Sequence, residues 1–199
     1  MGTEYVHVLQ PGRRLKDRYV IQGLIGEGGF GITYLGYDEL LAMSVAIKEY
    51  YPQNFVTRNT AYDATLTVLH TKYTDFFQRG KSDFLKEARM LAKFQDEEGI
   101  VRVMDFFEMN NTAYIVMEYL DGITLKDYLK QNGTFLTEDI LGLLRPVMDA
   151  LAVIHANGLI HRDISPDNIM LLQNNRVKLM DFGAARDYTA FGEKSMSIL

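Results

Sequence analysis

Cysteine is absent from all 199 positions, which excludes a disulfide framework and any thiolate-ligated metal site and suits a reducing compartment. A basic excess is absent too: 21 Lys and Arg stand against 26 Asp and Glu, for a net charge of −5. That balance argues against a surface built to hold nucleic-acid phosphates. The first residues, Met1-Gly2-Thr3-Glu4-Tyr5-Val6-His7, show neither the basic nor the apolar stretch of a secretory signal. The longest apolar stretch, 140–154, is interrupted by Arg145, Pro146 and Asp149, so it falls short of the roughly 20 apolar residues that span a bilayer. A cytoplasmic protein is therefore expected, with no nucleic-acid partner and no membrane segment in this chain. What is present is ordinary globular material, 47% apolar and 24% charged, enough for one domain or two small lobes.

The first half reads as strands. Residues 19–25 run into a glycine cluster, 32–37 return from it, and 43–50 form a third strand with Ala46 and Lys48 on one face. Short turns between the three suggest an antiparallel meander. Residues 65–69 suit one strand of an inserted hairpin. A helix is expected from Ser82 to Phe94, where Phe84, Leu85, Ala88, Leu91 and Ala92 recur at helical spacing. Asn110-Asn111 separates the apolar runs 101–107 and 113–120, and asparagine tolerates the positive φ of a hairpin turn. The second half turns helical. Thr124 with Asp127 has the logic of a capping box. A longer helix is expected over 137–155, with the stripe Ile140, Leu144, Val147, Leu151 and Ile154 and a stop at Asn157-Gly158. Runs 169–172 and 177–180 flank Asn174-Asn175 as a second hairpin. Strands first and helices after imply an α+β class in two lobes.

Four short motifs carry chemistry. Gly26-Glu27-Gly28-Gly29-Phe30-Gly31 is G-x-G-x-x-G, whose glycines let backbone N–H groups approach phosphate oxygens. The same pattern serves dinucleotide sites when it opens a helix, but the β-branched and aromatic Ile32-Thr33-Tyr34 that follows suits a strand. Val45-Ala46-Ile47-Lys48 places a lysine within an apolar strand, where it either snorkels to the surface or meets an anion. Glu87, on the expected helix, is the candidate acid for it. His161-Arg162-Asp163-Ile164-Ser165-Pro166-Asp167-Asn168 sets an aspartate and an asparagine five apart in a loop: one suits a proton acceptor, the other a hard oxygen ligand. Asp181-Phe182-Gly183 adds a second such ligand beside a glycine.

Taken in order, the glycine loop, V-A-I-K, H-R-D-x-x-x-x-N and D-F-G resemble the signature set of the protein kinases, from about Tyr19 to the C-terminus. In detail they look like the bacterial serine/threonine kinases of the eukaryotic type. The resemblance implies a protein-kinase-like bilobal fold. Its N-lobe would cover 1–117, with an antiparallel sheet, an inserted segment at about 52–80 and one main helix at about 82–94. A hinge would follow at 118–120, then a partial, mainly helical C-lobe over 121–199. It implies an ATP-dependent enzyme that uses Mg2+ and a protein substrate with a Ser or Thr acceptor. Lys48 would contact the α- and β-phosphates and pair with Glu87. Asp163 would receive the acceptor's proton, and Asn168 and Asp181 would hold magnesium. Gly26, Gly28, Gly29, Phe30 and Gly31 would cover the phosphates. Thr33, Ala46 and Met170 would surround the adenine, with Met117 behind it and Glu118, Tyr119 and Leu120 meeting its edge. Leu91, Val103, His161 and Phe182 would form an apolar stack. Arg162 would anchor a phosphate on the segment after Gly183, at Thr189, Ser195 or Ser197.

Departures from the pattern shape the expectation. Ser165 stands where such kinases usually carry a lysine, and Thr33 where valine is usual. Lys48 and Glu87 lie about 20 residues further apart than in many members, the excess being read as the inserted hairpin. The sequence stops at Ile198-Leu199, before any A-P-E-like motif, and is expected to be a truncated catalytic domain with apolar surface exposed and a tendency to self-associate. The rival reading is a nucleotide-binding pseudokinase or interaction module. Intact Lys48, Asp163, Asn168 and Asp181 favour the enzyme.

Overall fold

The alternating runs of the first half pair into one antiparallel sheet. The computed structural model describes residues 7–60, 63–173 and 176–182, with the backbone of Arg186–Asp187. Contacts divide the chain into two units: the chain up to Ala92 with Val103–Tyr119, and Lys93–Arg102 with the chain from Leu120 onward.

In the first unit, β1 (Arg14–Leu15), β2 (Tyr19–Gly28), β3 (Gly31–Asp38) and β4 (Met43–Tyr50) follow one another, and β5 (Val56–Thr57) pairs with β6 (Thr67–Val68). The helix α1 (Thr74–Leu91) comes next, then β7 (Val103–Met109) and β8 (Thr112–Glu118). The main sheet has the order β1-β2-β3-β4-β8-β7. Along β3 and β4 one face is buried, through Ile32, Tyr34, Val45, Ile47 and Glu49, while Thr33, Ala46 and Lys48 are half-exposed. The turn between β7 and β8 is made by Asn110 and Asn111, both at positive φ (54° and 59°), as the asparagine pair suggested.

The helix starts at Thr74, eight residues before the expected Ser82, and ends at Leu91, with Ala92–Phe94 winding as a 3₁₀ turn. The apolar spacing continues backward to Phe77, fully buried, but Gly80 interrupts it and reads as a boundary. A glycine inside a helix costs about 1 kcal/mol relative to alanine. Here packing demands it: a Cβ on Gly80 would lie 2.0 Å from the Tyr50 hydroxyl, whose ring sits between Phe77 and Phe84 at 5.5 and 5.8 Å. The inserted hairpin is correspondingly short, two residues per strand.

The second unit contains β9 (Gly122–Thr124), α2 (Leu125–Asn132), α3 (Thr137–Ala156), β10 (Leu159–Ile160), β11 (Ile169–Leu172), β12 (Val177–Leu179) and β13 (Arg186–Asp187). Thr124 caps α2, its Oγ1 accepting from the Asp127 N–H at 3.0 Å. Helix α3 buries Val147, Ala150 and Ile154 and leaves Leu141 and Met148 exposed, as is Leu136 just before it. Strand β11 pairs with β12, as the hairpin reading expects, and also with β9, too short to show a pattern in the sequence. The turn residues Asn174 and Asn175 lie outside the described residues. Lys93–Arg102, which the sequence reading leaves in the first lobe, is held in the second unit by backbone bonds from Val101 N–H to Leu179 O and from Leu179 N–H to Gly99 O. Among the described residues no helix is long and apolar enough to cross a membrane.

Gly99 lets the same segment lie close against α3, because a Cβ there would lie 2.1 Å from the Pro146 carbonyl oxygen and 2.9 Å from the Val147 nitrogen. Gly99→Ala should lower stability by about 1–3 kcal/mol through forced backbone movement. Gly23→Ala, with nothing within 4 Å of the added atom, should stay within about 0.5 kcal/mol. Urea unfolding of the two variants checks the contrast.

Candidate active site

Antiparallel register decides which candidate residues share a face. Thr33 pairs with Lys48, Lys48 with Ile115, and Ala46 with both Leu35 and Met117. Thr33, Ala46, Lys48 and Met117 therefore project from one face of β3, β4 and β8. The glycine-rich turn joins β2 to β3 at one end of these two strands, with Gly28 opposite Gly31 and Phe30 66% exposed. Gly26, Gly28, Gly29 and Gly31 all lie outside the left-handed region, so their value is not conformational. A Cβ on Gly26 or Gly29 would meet nothing within 4 Å, whereas one on Gly31 would lie 2.9 Å from the Glu49 carbonyl oxygen. The first two keep the space above the turn open, and that space suits backbone N–H groups approaching a phosphate. Glu87 is buried on α1, which packs on β8, the strand beside that of Lys48. Glu118 closes β8, and the border between the units falls between Tyr119 and Leu120.

Two candidate residues of the second unit are in direct contact. The Asn168 side-chain amide donates to both the Asp163 carbonyl and its Oδ2, each at 2.9 Å. The Asn168 carbonyl accepts from the Met180 N–H at 2.7 Å, tying the loop to the residue before Asp181. His161, fully buried, receives the Asp163 N–H at Nδ1 (3.2 Å) and lies 3.1 Å from the Met180 carbonyl through Nε2. Those partners select the tautomer protonated at Nε2. Its ring meets that of buried Phe182 edge-on, centroids 4.4 Å apart. Met170 faces Thr124 and Lys178 in the β9-β11-β12 sheet, and Leu91 and Val103 are buried in the first unit.

Backbone strain marks the same loop. Among the described residues, non-glycine positive φ occurs at Lys16, Asp17, Ala42, Asn110 and Asn111, all between paired strands, and at Arg162 (69°) and Asp181 (53°). The last two flank the candidate proton acceptor and form the candidate metal ligand. Such conformations cost about 1–3 kcal/mol each and persist where surrounding contacts over-determine them. Gly183, Thr189, Ser195 and Ser197 lie outside the described residues.

With this geometry in hand, comparison with known proteins decides the family. Residues 19–198 match the protein kinase domain. The chain belongs to the protein kinase family. It is 33% identical over 174 residues to the serine/threonine-protein kinase PrkC of Bacillus subtilis, covering 87% of this chain and 24% of that one. To PknL of Mycobacterium tuberculosis it is 31% identical over 189 residues, covering 93% and 41%. The solved structure of PpkA-294 in its apo form superimposes with a TM-score of 0.82 at 36% identity, covering 96% of this chain and 67% of that one. The kinase fold is thereby established. The chain spans about a quarter of the length of the first curated relatives it matches.

One group in this kinase domain escaped the sequence reading. Glu49 and Arg58 are buried and bonded to one another, with Tyr34 and Tyr114 on the same carboxylate. The signal was faint: an acid next to Lys48 in an apolar strand, with nothing to name its partner nine residues on. Burial opposes the charge on Arg58, yet the Glu49 carboxylate offsets this and holds the guanidinium pKa above its usual value. Burial, then the Glu49 charge, pushes the Tyr34 and Tyr114 hydroxyls up as well, so both remain donors.

Burial also lowers the His161 pKa from its ordinary 6.5, despite the Met180 carbonyl. The unfolded chain therefore takes up this proton first, and stability falls as pH drops below about 6.5. His161→Gln should make that fall shallower between pH 7 and 5 in urea titrations. An unchanged slope would show that His161 does not titrate between the two states.

Proposed function

We propose that this domain transfers the γ-phosphate of ATP to serine or threonine hydroxyls of proteins. The observation that carries the reading is the Asp163–Asn168 pair, held at 2.9 Å on a loop with left-handed backbone at Arg162. In this reading the acceptor hydroxyl gives its proton to the Asp163 carboxylate as its oxygen bonds to the γ-phosphorus. The bond from phosphorus to the bridging oxygen breaks and ADP departs. The Asn168 amide fixes the carboxylate so that one oxygen stays available. Lys48 holds the α- and β-phosphates, paired with Glu87, and the turn 28–31 covers them. Thr33, Ala46 and Met117, on the Lys48 face, are assigned to the adenine in the first unit, and Met170 is the residue of the second unit assigned to it; Glu118, Tyr119 and Leu120 are assigned to its edge.

The donor set suits Mg2+. With its amide nitrogen committed to Asp163, Asn168 has its side-chain oxygen to offer, and Asp181 offers a carboxylate. Among the described residues no group of three or more His, Asp or Glu could hold a metal alone. Mg2+ typically takes one or two protein oxygens and completes its shell with phosphate and water. Bound there, it would neutralise charge on the phosphate oxygens. Such a reaction needs Mg-ATP and is assigned to the cytoplasm.

In the full-length protein, transfer of labelled γ-phosphate should fall at least about a hundredfold in Lys48→Met, Asp181→Asn and Asp163→Asn, with circular dichroism unchanged. Near-normal activity in any of them would remove that residue from its role. A folded wild type that binds ATP but transfers nothing would favour a nucleotide-binding module, with Ser165 the first residue to examine.

A further inference from the structure

Lys48 and Glu49 are consecutive in β4, so their side chains leave opposite faces of the sheet. Behind Lys48, both Glu49 oxygens are fully engaged. Oε1 accepts from Arg58 Nη1 (2.6 Å) and the Tyr114 hydroxyl (2.8 Å), and Oε2 from Arg58 Nη2 (2.8 Å) and the Tyr34 hydroxyl (2.7 Å). Tyr34, Glu49 and Tyr114 belong to β3, β4 and β8, three neighbours in the sheet, so one carboxylate cross-links the strands that carry Thr33, Lys48 and Met117. Arg58 comes from the inserted segment and is itself anchored, donating through Nε and Nη2 to the His7 carbonyl (2.9 and 2.6 Å) and through Nη1 to that of Ala64 (3.3 Å).

The chain between Glu49 and Arg58 also holds the glycine-rich turn. The Tyr51 N–H donates to Phe30 O (3.1 Å) and the Gln53 N–H to Gly29 O (3.2 Å). Glu27 Oε1 receives the Gln53 side-chain amide and lies against His7 Nε2, both at 2.8 Å. Thus Arg58 fixes His7 and Glu49; the chain just after Glu49 holds the turn, and the His7 ring meets Glu27, which leads into it. Apolar residues would often fill such a site with equal stability. What a two-pronged guanidinium–carboxylate pair adds is direction.

We propose that Arg58 is a positioning residue for nucleotide binding: through Glu49 and His7 it sets the Lys48 strand and the turn 28–31 where the phosphates of ATP are received. The assignment rests on the phosphotransfer reading above. Arg58 acts from the far face of the sheet, so its loss is felt in ATP affinity before anything else.

The test uses the full-length protein with Arg58→Lys, which keeps the charge but not the fork, Arg58→Met, and the double variant Glu49→Gln with Arg58→Met. Each is measured by thermal unfolding, by titration with a fluorescent Mg-ATP analogue, and by initial rates over a series of ATP concentrations. Arg58→Lys should raise the KM for ATP and the analogue's Kd by roughly tenfold or more, with kcat and the KM for the protein acceptor changing far less. The double variant should regain the stability lost in Arg58→Met but not the affinity. A purely structural pair predicts otherwise: KM for ATP at the wild-type value, maximal rate falling with the folded fraction, and full recovery in the double variant. That outcome overturns the proposal and leaves the kinase reading intact. Wild-type protein that binds no Mg-ATP would overturn both. Should Arg58→Met not fold, Arg58→Lys decides the matter alone.

Discussion

Strand β4 carries opposite charges on adjacent residues, and the pleat sends them to opposite faces. Lys48 lies on the half-exposed face with Thr33 and Ala46, Glu49 on the buried one. A carboxylate without water is tolerable only when paired and hydrogen-bonded. Glu49 has four donors. A one-residue slip of β4 would exchange the two faces, drawing Lys48 inward and pushing Glu49 out of its donor set. Removing one member of such a buried pair typically costs about 3–5 kcal/mol, so the network defends the register of β3, β4 and β8. The inserted segment supplies Arg58, and the chain before β1 supplies the carbonyl that receives it. Segments that look peripheral in the sequence thus complete the core behind the lysine.

The second unit solves a different problem, holding two residues in left-handed backbone. Arg162 and Asp181 do not sit in hairpin turns, where that conformation is common. His161 bridges the two stretches, taking the Asp163 N–H on one nitrogen and meeting the Met180 carbonyl with the other. The bond from Met180 N–H to Asn168 O adds a second strut. Because burial keeps the imidazole neutral, both roles persist at neutral pH: a second proton on the ring would abolish the acceptor that the Asp163 amide needs.

Much of this was legible from residues. Strand β4 runs over the span its apolar pattern marks, Asn110-Asn111 makes the turn that asparagine favours, and Thr124 caps its helix, because each is a local preference with a local cause. The failures have causes as well. Gly80 carries two meanings, a break in helical spacing and a gap left for the Tyr50 hydroxyl, and only the packed structure shows which applies. Strand β9 is three residues long and owes its existence to β11, 45 or more positions later. Arg58 finds Glu49 across a bend of the chain that no periodicity encodes. Nearest-neighbour chemistry can be read from a sequence, whereas a partner chosen by tertiary contact cannot.

Three of the candidate residues share one feature. Lys48, Asp163 and Asp181 are half-exposed or exposed, and each has a close neighbour in sequence that is buried and bound. Lys48 is followed by Glu49, and Asp181 by Phe182, packed edge-on against His161. Asp163 is held by His161, two residues before it. Phosphoryl transfer demands accurate placement of charge more than covalent participation. Pinning a near neighbour serves that end, since it fixes the backbone within one or two residues of the group assigned to chemistry. On this argument the buried neighbours are as necessary to the activity as the residues that the kinase motifs spell out.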